Sequence, residues 1–88
     1  MQVSVTFRNT ESKEILRDYL QEKISKLRKY FDHPLEANAV LSVEKHRQIA
    51  EVTLVANRIT INAQEETEDM FAAIDGVLEK LERQILKY

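Results

Sequence analysis

The 88-residue sequence contains no cysteine, one glycine, one proline and only two histidines. The missing cysteine excludes disulfide staples and thiolate chemistry, a composition that suits a reducing cytoplasm. With so little glycine and proline there is scant material for linkers, and no low-complexity segment or internal repeat interrupts the chain. No Ser-His-Asp set and no glycine-rich phosphate loop is present. His33 falls beside Pro34 in an expected turn, and His46 falls between Lys45 and Arg47 in an expected hairpin. Both are positions where a histidine is ordinarily solvated, not catalytic. Glu65, Glu66, Glu68 and Asp69 could attract a divalent ion, but an acidic helix start is the ordinary explanation for them. The expectation is a protein that is not an enzyme and has no cofactor or metal. No apolar run approaches the roughly 20 residues of a membrane span, and "MQVSVTFRN" lacks the basic start and apolar stretch of a signal peptide. A cytoplasmic protein without a membrane partner is expected. Neither sign of charge dominates, since 13 Lys and Arg against 15 Asp and Glu leave a formal net charge of -2.

What is present is patterned. A chain of this length makes one domain, residues 1–88, just large enough to bury a core of two helices on a sheet. "QVSVTFR" alternates, with Val3, Val5 and Phe7 on one side, and predicts a strand with one buried face. "NTES" supplies candidate N-caps between Asn9 and Ser12. Leu16, Leu20, Ile24, Leu27 and Phe31 then mark an amphipathic helix of about five turns, ended by Pro34. Ala39, Leu41 and Val43 share a face, as do Val52, Leu54 and Ala56, and then Ile59, Ile61 and Ala63. "EKHRQ" and "NR" are short enough to close hairpins between those strands. A last helix is expected to start near "EETED", with Met70, Ile74, Val77, Leu78, Leu81 and Ile85 as its core stripe. The order β-α-β-β-β-α, with a right-handed crossover and one buried sheet face, predicts an α/β two-layer sandwich. Its sheet is four-stranded and mixed, and both helices lie on one face.

The near-neutral total conceals sorted charges. At 100° per residue, Lys80, Arg83 and Lys87 fall in one sector of the last helix, while Glu68, Asp75, Glu79 and Glu82 fall on the other flank. Intrahelical ion pairs would need an acid three or four residues away. Lys80 and Lys87 have none, and only Arg83 has a candidate, Glu79. On the first helix Lys23, Lys26 and Lys29 step along one side beside Tyr19 and Tyr30. Lys23 again lacks an acid at helical spacing, whereas Lys26 could pair with Glu22 and Lys29 with Asp32. If the helices pack side by side, the two basic lines can merge beside a groove. Ala72, Ala73 and Gly76 border the line and admit either a ligand backbone or tight helix packing on the first helix. The tyrosines fit either base stacking or the core edge. A line of unpaired cations fits a regularly charged polyanion, of which nucleic-acid phosphate is the obvious case.

Three blocks, "ILRDYLQEKISKLRKYFD", "LSVEKHRQIAEVTL" and "DMFAAIDGVLEKLERQILK", resemble the ribosome hibernation promoting factor family, also called ribosome-associated inhibitors or sigma-54 modulation proteins. The resemblance spans essentially the whole chain and implies the same β-α-β-β-β-α fold. It further implies a partner, the small ribosomal subunit, bound in the decoding channel in competition with messenger and transfer RNA when growth slows, as in stationary phase or stress. The family's basic helix positions match Lys23, Lys26, Lys29, Lys80, Arg83 and Lys87, and Lys45 in "VEK" is added at the sheet edge as a further contact with ribosomal RNA. Phe71 stands where a tyrosine is more usual after "DM". Many relatives continue past the point matching Tyr88, so the chain could be the N-terminal domain of a longer protein; the domain itself is expected to be monomeric. The rival reading is a general double-stranded RNA-binding module, which would bind naked duplexes as well as ribosomes. A protein-interaction domain pairing through a sheet edge is a third, and it predicts an oligomer that survives high salt.

Overall fold

The structure, a computed structural model, describes residues 1–32 and 35–87. Strand β1 (Gln2–Arg8) leads to helix α1 (Glu14–Ser25) and a 3-10 helix (Lys26–Tyr30), followed by strands β2 (Leu35–Glu44), β3 (Arg47–Ala56) and β4 (Ile59–Thr67) and helix α2 (Met70–Ile85). The strands lie in the order β1-β2-β3-β4. β1 runs parallel to β2 with Val5 opposite Ala39, and the two hairpins are antiparallel. This is the expected four-stranded mixed sheet.

Alternation decides which face is covered. Leu35, Ala37, Ala39 and Leu41 of β2, Ala50, Val52, Leu54 and Ala56 of β3, and Ile61 and Ala63 of β4 are buried beneath the helices. Leu16, Leu20, Ile24 and Leu27 answer from the first helical segment, and Met70, Ala73, Ile74, Val77, Leu78, Leu81 and Ile85 from α2. Leu20, Ile24, Ile74 and Leu81 are completely excluded from solvent, each worth about 1.5–3 kcal/mol of burial. The inner face carries five alanines among these positions, so the helices sit low on the sheet. Val3, Val5 and Phe7 of the edge strand are only partly buried.

Three local expectations are corrected. The cap of α1 is not among Asn9–Ser12: Lys13 occupies the N-cap with no side-chain hydrogen bond, and Asn9 instead turns the chain at φ 60. The five-turn helix is an α-helix of 12 residues that tightens into a 3-10 helix, a change that keeps Leu27 buried while the chain turns towards β2. Pro34 and His33, expected to end it, lie outside the described residues. Finally, Glu65 and Glu66 belong to β4, not to a helix start, because pairing with Ala50 and Ile49 continues through them. Asp69 alone caps α2, its Oδ2 accepting from the Ala72 N–H at 3.1 Å.

Candidate nucleic-acid interface

The outer surface of the helix pair is assembled from charged side chains and from Tyr19 and Tyr30, which pack against the edge of the core. Tyr19 donates its hydroxyl to Asp75 Oδ1 at 2.5 Å, and Tyr30 donates to Glu82 Oε2 at 2.7 Å. Partner positions advance together along both segments, so α1 and α2 run parallel. Phe71 meets the edge of the Tyr19 ring, with centroids 5.0 Å apart and planes at 81°. Lys23 reaches the same point, 3.8 Å from Asp75 and 5.3 Å from the Tyr19 ring centre. The hydrogen bond to Asp75, more than burial, raises the Tyr19 pKa above its ordinary value, and Glu82 does the same for Tyr30. The tyrosines therefore take the core-edge placement, packed against the core with their hydroxyls engaged. They clasp one helix to the other.

This geometry corrects the merged basic groove. The flank of α2 that faces α1 is the acidic one: Lys23 and Lys26 line one side of the groove and Asp75, Glu79 and Glu82 the other, with the nearly buried Leu27 and Leu78 beneath them. Lys80 lies across α2 over β4, and Arg83 and Lys87 share its sector of the helix. The cause is the position of the core stripe. Burying Ile74, Val77 and Leu81 on the sheet turns one charged flank of α2 towards α1 and the other towards β4. The result is two basic rows with a ridge of carboxylates between them.

Two of the cations expected to lack counter-ions have them. Lys80 Nζ donates to the Gln64 carbonyl at 2.8 Å and lies 3.4 Å from Glu65 Oε1; Lys23 pairs with Asp75. Both partners come from other elements, which a search at helical spacing does not reach. Arg83, Lys87, Lys26 and Lys29 form no ion pair with the described residues; Lys29 lies 5.3 Å from the Tyr30 ring centre. The possible partners at helical spacing, Glu79, Glu22 and Asp32, are not engaged by them. Lys45 is exposed at the β2–β3 turn, at the end of the sheet from which the chain enters α2, whereas Lys87 follows the opposite end of that helix. Lys45 is not brought together with the helical cations. Beside it Arg47 spans Glu44 and Glu66.

The small residues bordering the line have separate explanations. Ala73 is core, Ala72 is exposed, and Gly76 accommodates β4: a methyl group there would come within 2.7 Å of Glu65 Cγ and Oε2. Glycine lets Glu65 lie over the helix and reach Lys80. The neighbour belongs to β4 and not to the first helix.

The profile of the family described as Sigma 54 modulation protein / S30EA ribosomal protein matches residues 3–88. The chain belongs to this family. The ribosome hibernation promoting factor of Klebsiella oxytoca is 43% identical over 88 residues, which is 100% of this chain and 93% of that protein. The Protein Y N-terminal domain of Thermus thermophilus superposes with a TM-score of 0.91 at 31% identity, covering 99% of this chain and 98% of that domain. A ribosomal subunit interface protein from Coxiella burnetii gives 0.88 at 25% identity, covering 100% and 97%. The fold inferred from alternation and helical stripes is thus the fold of this family's solved members.

Proposed function

We propose that this chain is a cytoplasmic ribosome hibernation factor that binds the small ribosomal subunit, occupies the channel of messenger and transfer RNA, and so holds translation off when growth slows. One observation carries the reading: the likeness to a protein named ribosome hibernation promoting factor runs through the entire chain. The surface chemistry supports it. Lys26 and Lys29 on one row, and Arg83 and Lys87 on the other, are cations whose charge no described residue offsets, and phosphate is the anion RNA presents at regular spacing. Lys23, Lys80 and Lys45 add to the field at lower strength or greater distance. Inhibition then needs no chemistry, only exclusion of competing ligands from a shared site.

Charge reversal tests this. In the double variant Arg83→Glu and Lys87→Glu, both side chains are exposed, so the circular dichroism spectrum and melting temperature should stay close to the parent's. Co-sedimentation with purified small subunits should fall by more than about tenfold, since two attractive phosphate contacts become repulsive. Undiminished co-sedimentation at moderate salt would remove α2 from the interface.

A further inference from the structure

We propose that the groove between α1 and α2 is a subsite for one unpaired guanine of ribosomal RNA, read by Glu79. The inference deepens the proposed function and rests on it. The groove holds about 330 Å³, at the small end of sites that take a ligand of nucleotide size. Its floor is apolar, made by the nearly buried Leu27 and Leu78. Of the carboxylates on its α2 wall, Asp75 already accepts from Tyr19 and pairs with Lys23, and Glu82 already accepts from Tyr30. Glu79 is exposed and has no hydrogen bond or ion pair with the described residues. Lys26 lines the opposite wall, equally unengaged, and does not pair with Glu79.

An acceptor and a cation held apart over an apolar floor match one kind of ligand: a flat group with a donor edge, attached to an anion. A nucleotide has that form. Among the bases only guanine presents two adjacent parallel donors, N1–H and N2–H, on its Watson–Crick edge, and a single carboxylate accepts both side by side. Adenine, cytosine and uracil offer one donor there, flanked by an acceptor that a carboxylate repels. The base would lie on Leu27 and Leu78 with its phosphate towards Lys26. The carboxylate ridge, unfavourable to phosphate, then serves to admit a base where the backbone cannot go. Unpaired, splayed bases are the part of RNA read in this way.

Kethoxal, which modifies guanine at N1 and N2, gives the test. Small subunits are probed alone, with the unaltered chain, and with Glu79→Ala or Glu79→Gln at saturating protein. The unaltered chain should protect at least one guanine that either variant leaves reactive, and each variant should bind roughly tenfold more weakly. Guanine protections identical among the three proteins would overturn the subsite while leaving ribosome binding intact. Weaker binding by both variants with unchanged guanine protections would also overturn it, by placing a ribosomal protein in the groove. Failure of the unaltered chain to co-sediment with small subunits would remove the function and the subsite together.

Discussion

Gly76 is a residue whose role becomes visible only once β4 is laid beside α2. Its backbone is helical, so alanine would ordinarily gain about 1 kcal/mol there. The added methyl would displace Glu65 and loosen its hold on Lys80, an exposed pairing worth about 0–1 kcal/mol. The two effects are of similar size and opposite sign. Gly76→Ala is therefore expected to leave stability almost unchanged in the native background and to add about 0.5–1 kcal/mol once Glu65→Ala has cleared the space. Urea unfolding of the four proteins measures the difference; equal effects in both backgrounds would show that Glu65 does not occupy that position. The tyrosine clasp gives a pH dependence instead. Tyr19 and Tyr30 have pKa values raised by their carboxylate partners, so the folded state favours their protonated forms. Their contribution is complete below the ordinary tyrosine pKa near 10 and is lost as pH rises through the higher folded values. Alkaline absorbance titration should show that Tyr19→Phe and Tyr30→Phe each delete a late-titrating phenol. If either variant instead deletes a phenol that titrates normally, the corresponding clasp is absent. Sequence reading placed these tyrosines beside the lysines, but their partners lie 56 and 52 residues away, beyond any local pattern.

Elements were legible where burial imposes a period and illegible where a single side chain sets the end. Strand alternation located β1 and the inward faces of β3 and β4 because the inner face must be apolar. The same period extends β2 back to Leu35, directly after Pro34 in sequence. The beginnings of the two helices differ from expectation for separate reasons: "NTES" is rich in residues able to cap, yet α1 begins only after Lys13, whereas pairing with β3, which sequence does not display, keeps Glu65, Glu66 and Thr67 of "EETED" in extended chain. The hairpin ends carry their own signature. Lys45 and Asn57 take positive φ angles of 57 and 53, which asparagine tolerates and lysine does not favour. Lys45→Gly should consequently stabilise the β2–β3 hairpin by about 0.5–1 kcal/mol, contrary to the usual cost of glycine in a strand region. A rise of roughly 4–8 °C in melting temperature per kcal/mol is expected for a domain of this size. A lower melting temperature would mean that the Lys45 side chain makes a stabilising contact outweighing its backbone strain.

At the scale of the molecule, near-neutral total charge coexists with two separated basic rows, and the separation follows from how α2 rotates to bury its stripe. Sequence spacing identified both rows but not what lies between them, since the azimuth of one helix relative to its neighbour is fixed by packing. The count of unengaged cations then sets the response to salt. If phosphates meet Lys26, Lys29, Arg83 and Lys87, four displaced counterions at about 0.7 each give a log-log slope for ribosome association near -3. Were Lys23 and Lys80 equally available, the slope would approach about -4. Their carboxylate partners, Asp75 and Glu65, must be given up before either binds phosphate, so each should release less than a full counterion. Replacing Arg83 and Lys87 by alanine is expected to flatten the slope by about 1.4, and replacing Lys23 and Lys80 by less than that. Co-sedimentation across a salt series separates the two pairs. Equal flattening would require Glu65 and Asp75 to release their lysines on binding, and the basic rows would then be assembled by the RNA instead of by the fold.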